Sequence, residues 1–359
     1  MKTYKQLYPQ ICTFENLYLA FRRARKGKRS KPAVAAFENN LEDNLIALQD
    51  TLQEERYQPG AYTNFTLYDG KPRHISAAPV RDRVVHHALC NVIEPIWEAR
   101  FIHDSYACRQ GKGTHAALDR CTAFARRYPY VLQADIVQFF PSVDHAVLEA
   151  LLARHIADPP TLRLCQRIIA SGAGLHAATY EMQWFPGDNL LAALRPRGLP
   201  IGNQTSQFWG NVYLHELDQF VKQELHCPAY LRYADDLLLF APDKPTLHQW
   251  RRAISHFLER LRLRIHPHKS RIYPTRCGIA FLGFTVFPDH RRLKRTNGVA
   301  FGRRFRGKVR ALAQGQLTRA ELHASVQGWL AHATHGDTYR LRASLLSRLS
   351  IPAEVLPHG

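Results

Sequence analysis

The chain is short of acid. Among its 359 residues, 30 are Asp or Glu against 49 Lys or Arg, a formal net charge of +19. That imbalance predicts a polyanionic partner. Cysteine is sparse as well: Cys12, Cys90, Cys108, Cys121, Cys165, Cys227 and Cys277 are scattered, with no Cys-x-x-Cys pair. The scatter excludes a zinc ribbon and fits a reducing cytosol. Neither His86-His87 nor His266-Pro267-His268 has a third ligand at metal-binding spacing, so packing is the reading for both. No apolar run is long enough to span a bilayer, and the start of the chain lacks a signal-peptide core, so a cytoplasmic protein without a membrane role is expected. Repeats and low-complexity stretches are missing. At 45% apolar, the chain has material for one multi-lobed enzyme or two ordinary domains.

What is present centres on Tyr233-Ala234-Asp235-Asp236. Apolar runs flank it, Ala229-Tyr230-Leu231 before and Leu237-Leu238-Leu239-Phe240 after, and these predict two strands joined by a tight turn. Two adjacent carboxylates at such a turn repel by about 4 kcal/mol at ~4 Å and an effective dielectric of ~20. A divalent cation relieves that repulsion, and carboxylate oxygens are the hard ligands Mg²⁺ prefers. A solvated acidic turn is the alternative for an arbitrary Asp-Asp, but strands on both sides fix this one beside a core. Asp135 is the candidate third carboxylate. It follows the β-rich run Tyr130-Val131-Leu132-Gln133-Ala134 and precedes Ile136-Val137-Gln138-Phe139-Phe140. An acid there is costly unless paired or metal-bound. A salt-bridged core residue is the rival reading. Three aspartates on two neighbouring strands suit a pair of Mg²⁺ ions in an in-line phosphoryl displacement.

An Asp-bearing strand ending in two aromatics, followed about a hundred residues later by Tyr-Ala-Asp-Asp, resembles motifs A and C of reverse transcriptases. Other blocks resemble the family in the same order. They are Lys71-Pro72-Arg73 with Val80-Arg81-Asp82-Arg83, then Asp104 to Thr114, Gly198 to Gln207, His268-Lys269-Ser270 and Phe281-Leu282-Gly283-Phe284. The fourth block has Ile201-Gly202-Asn203-Gln204-Thr205-Ser206-Gln207 where most of the family carries Gln-Gly. In this it is similar to the reverse transcriptases of diversity-generating retroelements, which copy a template-repeat RNA and misincorporate opposite adenine. Replacing a directional amide by an aliphatic side chain removes a geometric check on the nascent pair. Ile201 as simple palm packing is the alternative. Group II intron enzymes are the nearest alternative, and a phage-defence reverse transcriptase or a non-catalytic RNA-binding protein on the same scaffold stays open.

The resemblance implies roles. Asp135 and Asp235, with Asp236 and the carbonyl of Ile136, would hold two Mg²⁺ ions, with Mn²⁺ as a substitute. Phe140 resembles the steric gate against a ribose 2′-hydroxyl, a core aromatic being the alternative. Arg73 and Arg81 would grip the dNTP triphosphate near Ile201 and Gly202, because guanidinium forks match phosphate oxygens. Arg83 is a rival of Arg81, or a partner for Asp82. Lys269 would protonate pyrophosphate, or serve as one more backbone contact. Phe281, Leu282 and Gly283 would form the primer grip. Template RNA, the RNA/cDNA duplex and a small basic oligomeric accessory protein are the implied partners of a bacterial or phage-encoded enzyme.

The implied architecture is an α+β right hand: 1–60 N-terminal extension, 61–130 fingers, 131–145 palm motif A, 146–197 insertion, 198–290 palm and 291–359 thumb. From Arg251 to Arg310 there are 17 Lys or Arg and two acids, Glu259 and Asp289, as befits a surface along a nucleic-acid backbone. A second basic cluster spans Arg22 to Arg29, suited to structured RNA or to a protein partner. Helices are predicted at Phe37–Gln53, Asp82–Arg100 with an interruption near Pro95, Asp144–His155, Asn203–His226, Lys244–Leu261, Arg304–Ala313 and Arg319–Thr334. An irregular insertion is predicted over Ser171–Arg197.

Overall fold

A computed structural model describes residues 2–69 and 71–347; the side chains of Asp69 and Lys71, part of the first basic block, and the end of the expected thumb, 348–359, lie outside that description. The chain opens with helices α1 (Tyr8–Ile11), α2 (Phe14–Ala24), α3 (Pro32–Asn39) and α4 (Leu41–Gln53). The antiparallel pair β1 (Thr63–Asp69) and β2 (Lys71–Ala77) follows, then α5 (Val80–Glu98) and α6 (Thr114–Arg127). Next come β3 (Tyr130–Asp135), α7 (Phe139–Ser142), α8 (His145–Ala153), α9 (Pro159–Ala170) and α10 (Gln204–Gln219). Strands β4 (Tyr230–Tyr233) and β5 (Asp236–Ala241) lead to α11 (Lys244–Arg260) and β6 (Arg271–Pro274). The remainder is β7 (Ile279–Phe281), β8 (Phe284–Val286), β9 (Arg291–Leu293), α12 (Arg295–Ala313), α13 (Arg319–Ala333) and α14 (Tyr339–Ser347). The strand order of the four-stranded sheet is β4-β5-β3-β6, so the two acid-bearing strands β5 and β3 are neighbours.

The chain divides into two compact units. One comprises Met1–Gln110, Ala134–Leu237 and Gln249–Ser270; the other comprises Gly111–Gln133, Leu238–His248 and Arg271–Gly359. In the first unit α10 is the central post. Phe208, Trp209, Val212, Tyr213, Leu214 and Leu217 are all buried, and even Asn211 and Asp218 on other faces are enclosed. A helix enclosed on nearly every side, polar residues included, belongs in a core, where those polar groups need partners. Helix α5 packs on α2 through Val84, Val85, Ala88 and Leu89 against Leu17, Ala20 and Phe21, each fully shielded from solvent. The irregular insertion is held by Arg195 on Asp144 (2.6 and 2.8 Å) and Arg262 on Asp188 (2.8 and 2.8 Å).

In the second unit β7, β8 and β9 form a three-stranded antiparallel sheet. Arg291 ties β9 to α6 through Asp119 (2.7 Å) and Thr122 (2.7 Å). Helix α13 starts on a capping box between Thr318 and Glu321, and Trp329 stacks on Phe301 of α12 with ring centres 3.9 Å apart.

Three expectations need correction. The helix expected at Phe37–Gln53 is two helices, broken at Asn40 (φ −118°, ψ 48°). The Asn44 side-chain amide donates to the Phe37 carbonyl (3.1 Å), so an amide side chain competes with the helical ladder at the break. The interruption near Pro95 does not occur. Pro95 sits inside the last turn of α5, where Ile96 and Trp97 are buried and hold the backbone in place despite one missing N–H. Helix α12 begins at Arg295 rather than Arg304.

Candidate active site

Strand β4 ends at Tyr233 and β5 begins at Asp236, so Ala234 and Asp235 are the two loop residues of the expected hairpin. Ala234 adopts φ +54°, a left-handed conformation that costs an L residue about 1 kcal/mol and persists where surroundings impose it. The surroundings are specific. Arg232, fully buried in β4, donates to the Ala234 carbonyl (3.0 Å), to Asn211 Oδ1 (3.0 Å) and to both oxygens of Asp218 (2.8 and 2.7 Å). The Tyr230 hydroxyl completes the set on Asp218 (2.7 Å). An ion pair with every donor matched bolts the acidic turn to α10. Sequence reasoning gave no role to Arg232, Asn211 or Asp218. An arginine between Leu231 and Tyr233 in an apolar strand was the available signal, since a buried charge demands a partner.

Asp135 closes β3. Its carbonyl accepts from the His266 N–H (2.7 Å), and Val137 N–H donates to Arg264 O (2.9 Å), a pairing that leaves the carbonyl of Ile136 outside both bonds. Asp135 and Asp235 converge. Burial first, then the Asp135 charge and a shared side-chain hydrogen bond, raise the Asp235 carboxyl from 3.8 to about 6, while Lys269 pulls the other way. Lys269 itself is ion-paired to Asp135, its ammonium standing where a cation relieves the repulsion. Asp236, the first residue of β5, directly follows Asp235 and is half-buried. Among the described residues no three His, Cys, Asp or Glu side chains form a ready-made metal cluster. The donor chemistry nevertheless fits a hard divalent ion. Two carboxylates are close enough to share a proton, and among the described residues the cation ion-paired to them is the half-exposed Lys269.

The remaining candidates fall into two groups. Within the first unit, the Ile201 carbonyl accepts from Ser76 N–H (3.1 Å), joining the end of β2 to the fourth block. Gly202 has φ +114°, and a Cβ there would stand 3.1 Å from Ile75, so the glycine is required twice over. Phe140 is half-buried, its ring 5.2 Å from that of Phe139, and Gly210 of α10 makes room for both: a Cβ at 210 would meet Phe139 at 3.1 Å and Phe140 at 3.6 Å. Arg73 is exposed on β2, opposite Leu67. Arg81 is engaged, donating to Gln58 O (2.7 Å) and Asp82 (3.3 Å) above the Tyr57 ring. It is therefore Arg81, not Arg83, that pairs with Asp82; Arg83 donates to Ala78 O (2.7 Å). In the second unit, Phe281, Leu282 and Gly283 form the expected hairpin, with φ +46° and +87° at the two loop residues. Gly283 is held by Lys294 N–H (3.0 Å) and the Asn297 side chain (3.1 Å), and a Cβ on it would stand 2.7 Å from Asn297.

A β-hairpin presenting an acidic pair, beside a strand ending in a third acid and braced on a buried helix, defines a class of phosphoryl-transferring enzyme. Residues 64–286 match the family described as reverse transcriptase (RNA-dependent DNA polymerase), and the chain belongs to that family. It is an RNA-directed DNA polymerase by class. It is similar to the protein YkfC of Escherichia coli K12, 26% identical over 291 residues, 69% of this chain and 72% of that one. It is also similar to the group II intron-encoded protein LtrA of Lactococcus lactis subsp. cremoris, 23% identical over 266 residues, 72% of this chain and 42% of that one. An uncharacterized 91 kDa protein in the cob intron of Schizosaccharomyces pombe is 27% identical over 170 residues, 47% of this chain and 20% of that one. The chain thus spans less than half the length of the two intron-associated relatives. No helix among the described residues is long and apolar enough to cross a membrane.

Proposed function

We propose that the protein synthesises cDNA on an RNA template by nucleotidyl transfer at Asp135, Asp235 and Asp236, with a relaxed check on the nascent pair at Ile201, as the polymerase of a diversity-generating retroelement. The observation that carries the transfer chemistry is the approach of Asp135 and Asp235 from separate strands, close enough to hold a proton between them, with Lys269 as their counter-charge. Asp135, Asp235 and Asp236 would hold two Mg²⁺ ions, which would supply charge neutralisation and Lewis-acid activation for the primer 3′-hydroxyl and the leaving pyrophosphate. The chain supplies the rest. Arg232 and Asp218 keep the hairpin turn in its strained conformation, so the carboxylate of Asp235 faces Asp135 before any ligand arrives. Freed from Asp135, Lys269 carries a proton for the pyrophosphate oxygen released as the 3′-oxygen bonds to the α-phosphorus. The triphosphate lies toward Arg73 and Arg81, with Arg81 exchanging its carbonyl contact for phosphate. Phe140 excludes a 2′-hydroxyl, and the Phe281–Gly283 hairpin seats the primer end. In this reading the first residues to 60 extend a fingers, palm and thumb arrangement, and the +19 charge holds the RNA/cDNA duplex. A small basic accessory protein and a cytoplasmic setting complete the proposal.

The retroelement assignment rests on the Ile201-Gly202-Asn203-Gln204-Thr205-Ser206-Gln207 block. The similarity to an intron-encoded relative favours a second reading, a polymerase that serves a group II intron. The DNA around the gene separates them: a repeat pair differing mainly at adenines supports the first. Substituting Asp235→Ala and Asp236→Ala together should abolish Mg²⁺-dependent cDNA synthesis on a primed RNA. Undiminished synthesis by that double variant rules the site out.

A further inference from the structure

A pocket of about 230 Å³ opens in the first unit between the end of α2, the middle of α5 and the start of α10. Arg23, Lys26, Lys28 and Arg83 line it, together with His86 and Asn203, and no Asp or Glu is among its walls. We propose that this pocket binds one phosphate group of the strand being copied, outside the three-aspartate site.

The neighbouring charges explain why the pocket stays cationic. Arg25 and Arg29, on either side of the same basic run, are both paired with Glu38. Among the described residues, Arg23, Lys26, Lys28 and Arg83 make no ion pair; Arg23 donates to the neutral Asn91 side chain and Arg83 to a carbonyl. Gly27, at φ +70°, reverses the chain between Lys26 and Lys28, which keeps both lysines beside α5.

A buried orphan deepens the argument. His86 is 1% exposed and neither of its ring nitrogens has a hydrogen-bond partner. Leaving such a group unpaired in the interior is costly, so a site that carries one is shaped for something absent from the protein itself. Burial, then His87 and Arg83, push His86 down to about 3, and burial with Arg23 and Lys28 pushes His87 to about 4. Both are neutral near pH 7 and each retains one N–H to give. Burial and Arg83 also depress Lys28. The first turn of α10 adds unpaired backbone N–H groups at its positive end. Everything converging here donates hydrogen bonds or carries positive charge, the complement of a phosphate.

The nucleic-acid source follows from position. Gly202, the neighbour of Ile201 in the fourth block, forms part of the wall. A strand passing the nucleotide-selecting block therefore runs beside the pocket. This step rests on the polymerase reading. The anion chemistry does not.

The test uses the full chain and the Lys26→Gln/Lys28→Gln double variant, two exposed side chains outside the catalytic set. Binding of a fluorescent primer–template with a single-stranded RNA overhang is measured by anisotropy across a salt series. A single neutral methylphosphonate is then walked along the overhang. The expected result is several-fold weaker binding by the variant and a log–log salt slope shallower by about 0.7, the value for one lost phosphate contact to a single strand. One methylphosphonate position should weaken the parent chain and leave the variant indifferent. Lys26→Arg/Lys28→Arg should restore both behaviours. Inorganic tripolyphosphate titrated by calorimetry forms the second arm. If it binds the parent and not the variant while the methylphosphonate walk is flat, the anion site stands and the strand assignment falls. An unchanged slope with no tripolyphosphate binding overturns the proposal. Polymerisation is scored separately, so a variant set that binds as expected on a chain without cDNA synthesis sinks the polymerase reading and leaves the pocket.

Discussion

Replacing Asp235 by asparagine should stabilise the metal-free protein while destroying its activity. The Asp235 carboxyl is raised from 3.8 to about 6 by burial and by Asp135. A raised carboxyl means the folded chain retains a proton that the unfolded chain releases. The resulting penalty is absent below pH 3.8, grows between 3.8 and about 6, and is complete above that. At about 1.4 kcal/mol per pH unit the ceiling is ~3 kcal/mol. The half-buried position of Asp235 lets solvent screen part of it, leaving about 1–2 kcal/mol. Asp235→Asn removes the charge and keeps the shape, and Asp135 retains Lys269. Thermal unfolding at pH 8 without divalent ions should show the variant melting several degrees higher, at ~2–4 °C per kcal/mol for a unit of this size. At pH 4.5 the gap should narrow, and below pH 3.8 it should close. Adding MgCl₂ at pH 8 should raise the parent's midpoint and move the variant's far less, because ligand binding stabilises only the fold that binds. A variant that melts lower at pH 8, or a gap independent of pH, would refute the electrostatic account.

Arg232→Met should destabilise by about 3–5 kcal/mol, since it strands Asp218 in the core; pairing it with Asp218→Leu should recover much of the loss, as read by urea unfolding. Phe140→Ala should admit ribonucleotides, seen as alkali-sensitive products in primer extension; unchanged discrimination returns Phe140 to core packing. Ile201→Gln should reduce misincorporation opposite template adenine by several-fold in sequenced cDNA, and an unaltered error spectrum rejects the fidelity role. Gly210→Ala should lower activity more than stability. Its Cβ must displace the Phe139 ring, which packs on Phe140, by a few tenths of an ångström, and kcat measured with chemical denaturation separates the two.

Local pattern determined the hairpin and the strand that feeds it. Apolar runs on both sides of Tyr233–Asp236 admit little but two strands and a short turn, and an acid at the end of Tyr130–Ala134 marks itself by its cost. Helix α11 was legible for the same reason, being periodic, with its one proline, Pro245, confined to the first turn where the helix tolerates it. The break at Asn40 and the unbroken turn at Pro95 were not, because one depends on an amide finding a carbonyl and the other on burial of Ile96 and Trp97. Tertiary structure alone decided who stands beside whom. Asp135 meets Asp235 across a hundred residues, Lys269 reaches Asp135 across 134, and Arg232 finds Asp218 on another element. The basic pocket draws on three separate stretches, near residues 25, 85 and 203, whose charges look like ordinary solvated ones when read in line. Covalent order sets which side chains exist and how each short segment bends. Electrostatic partners and shared cavities are properties of distance in space, and only the folded chain has those.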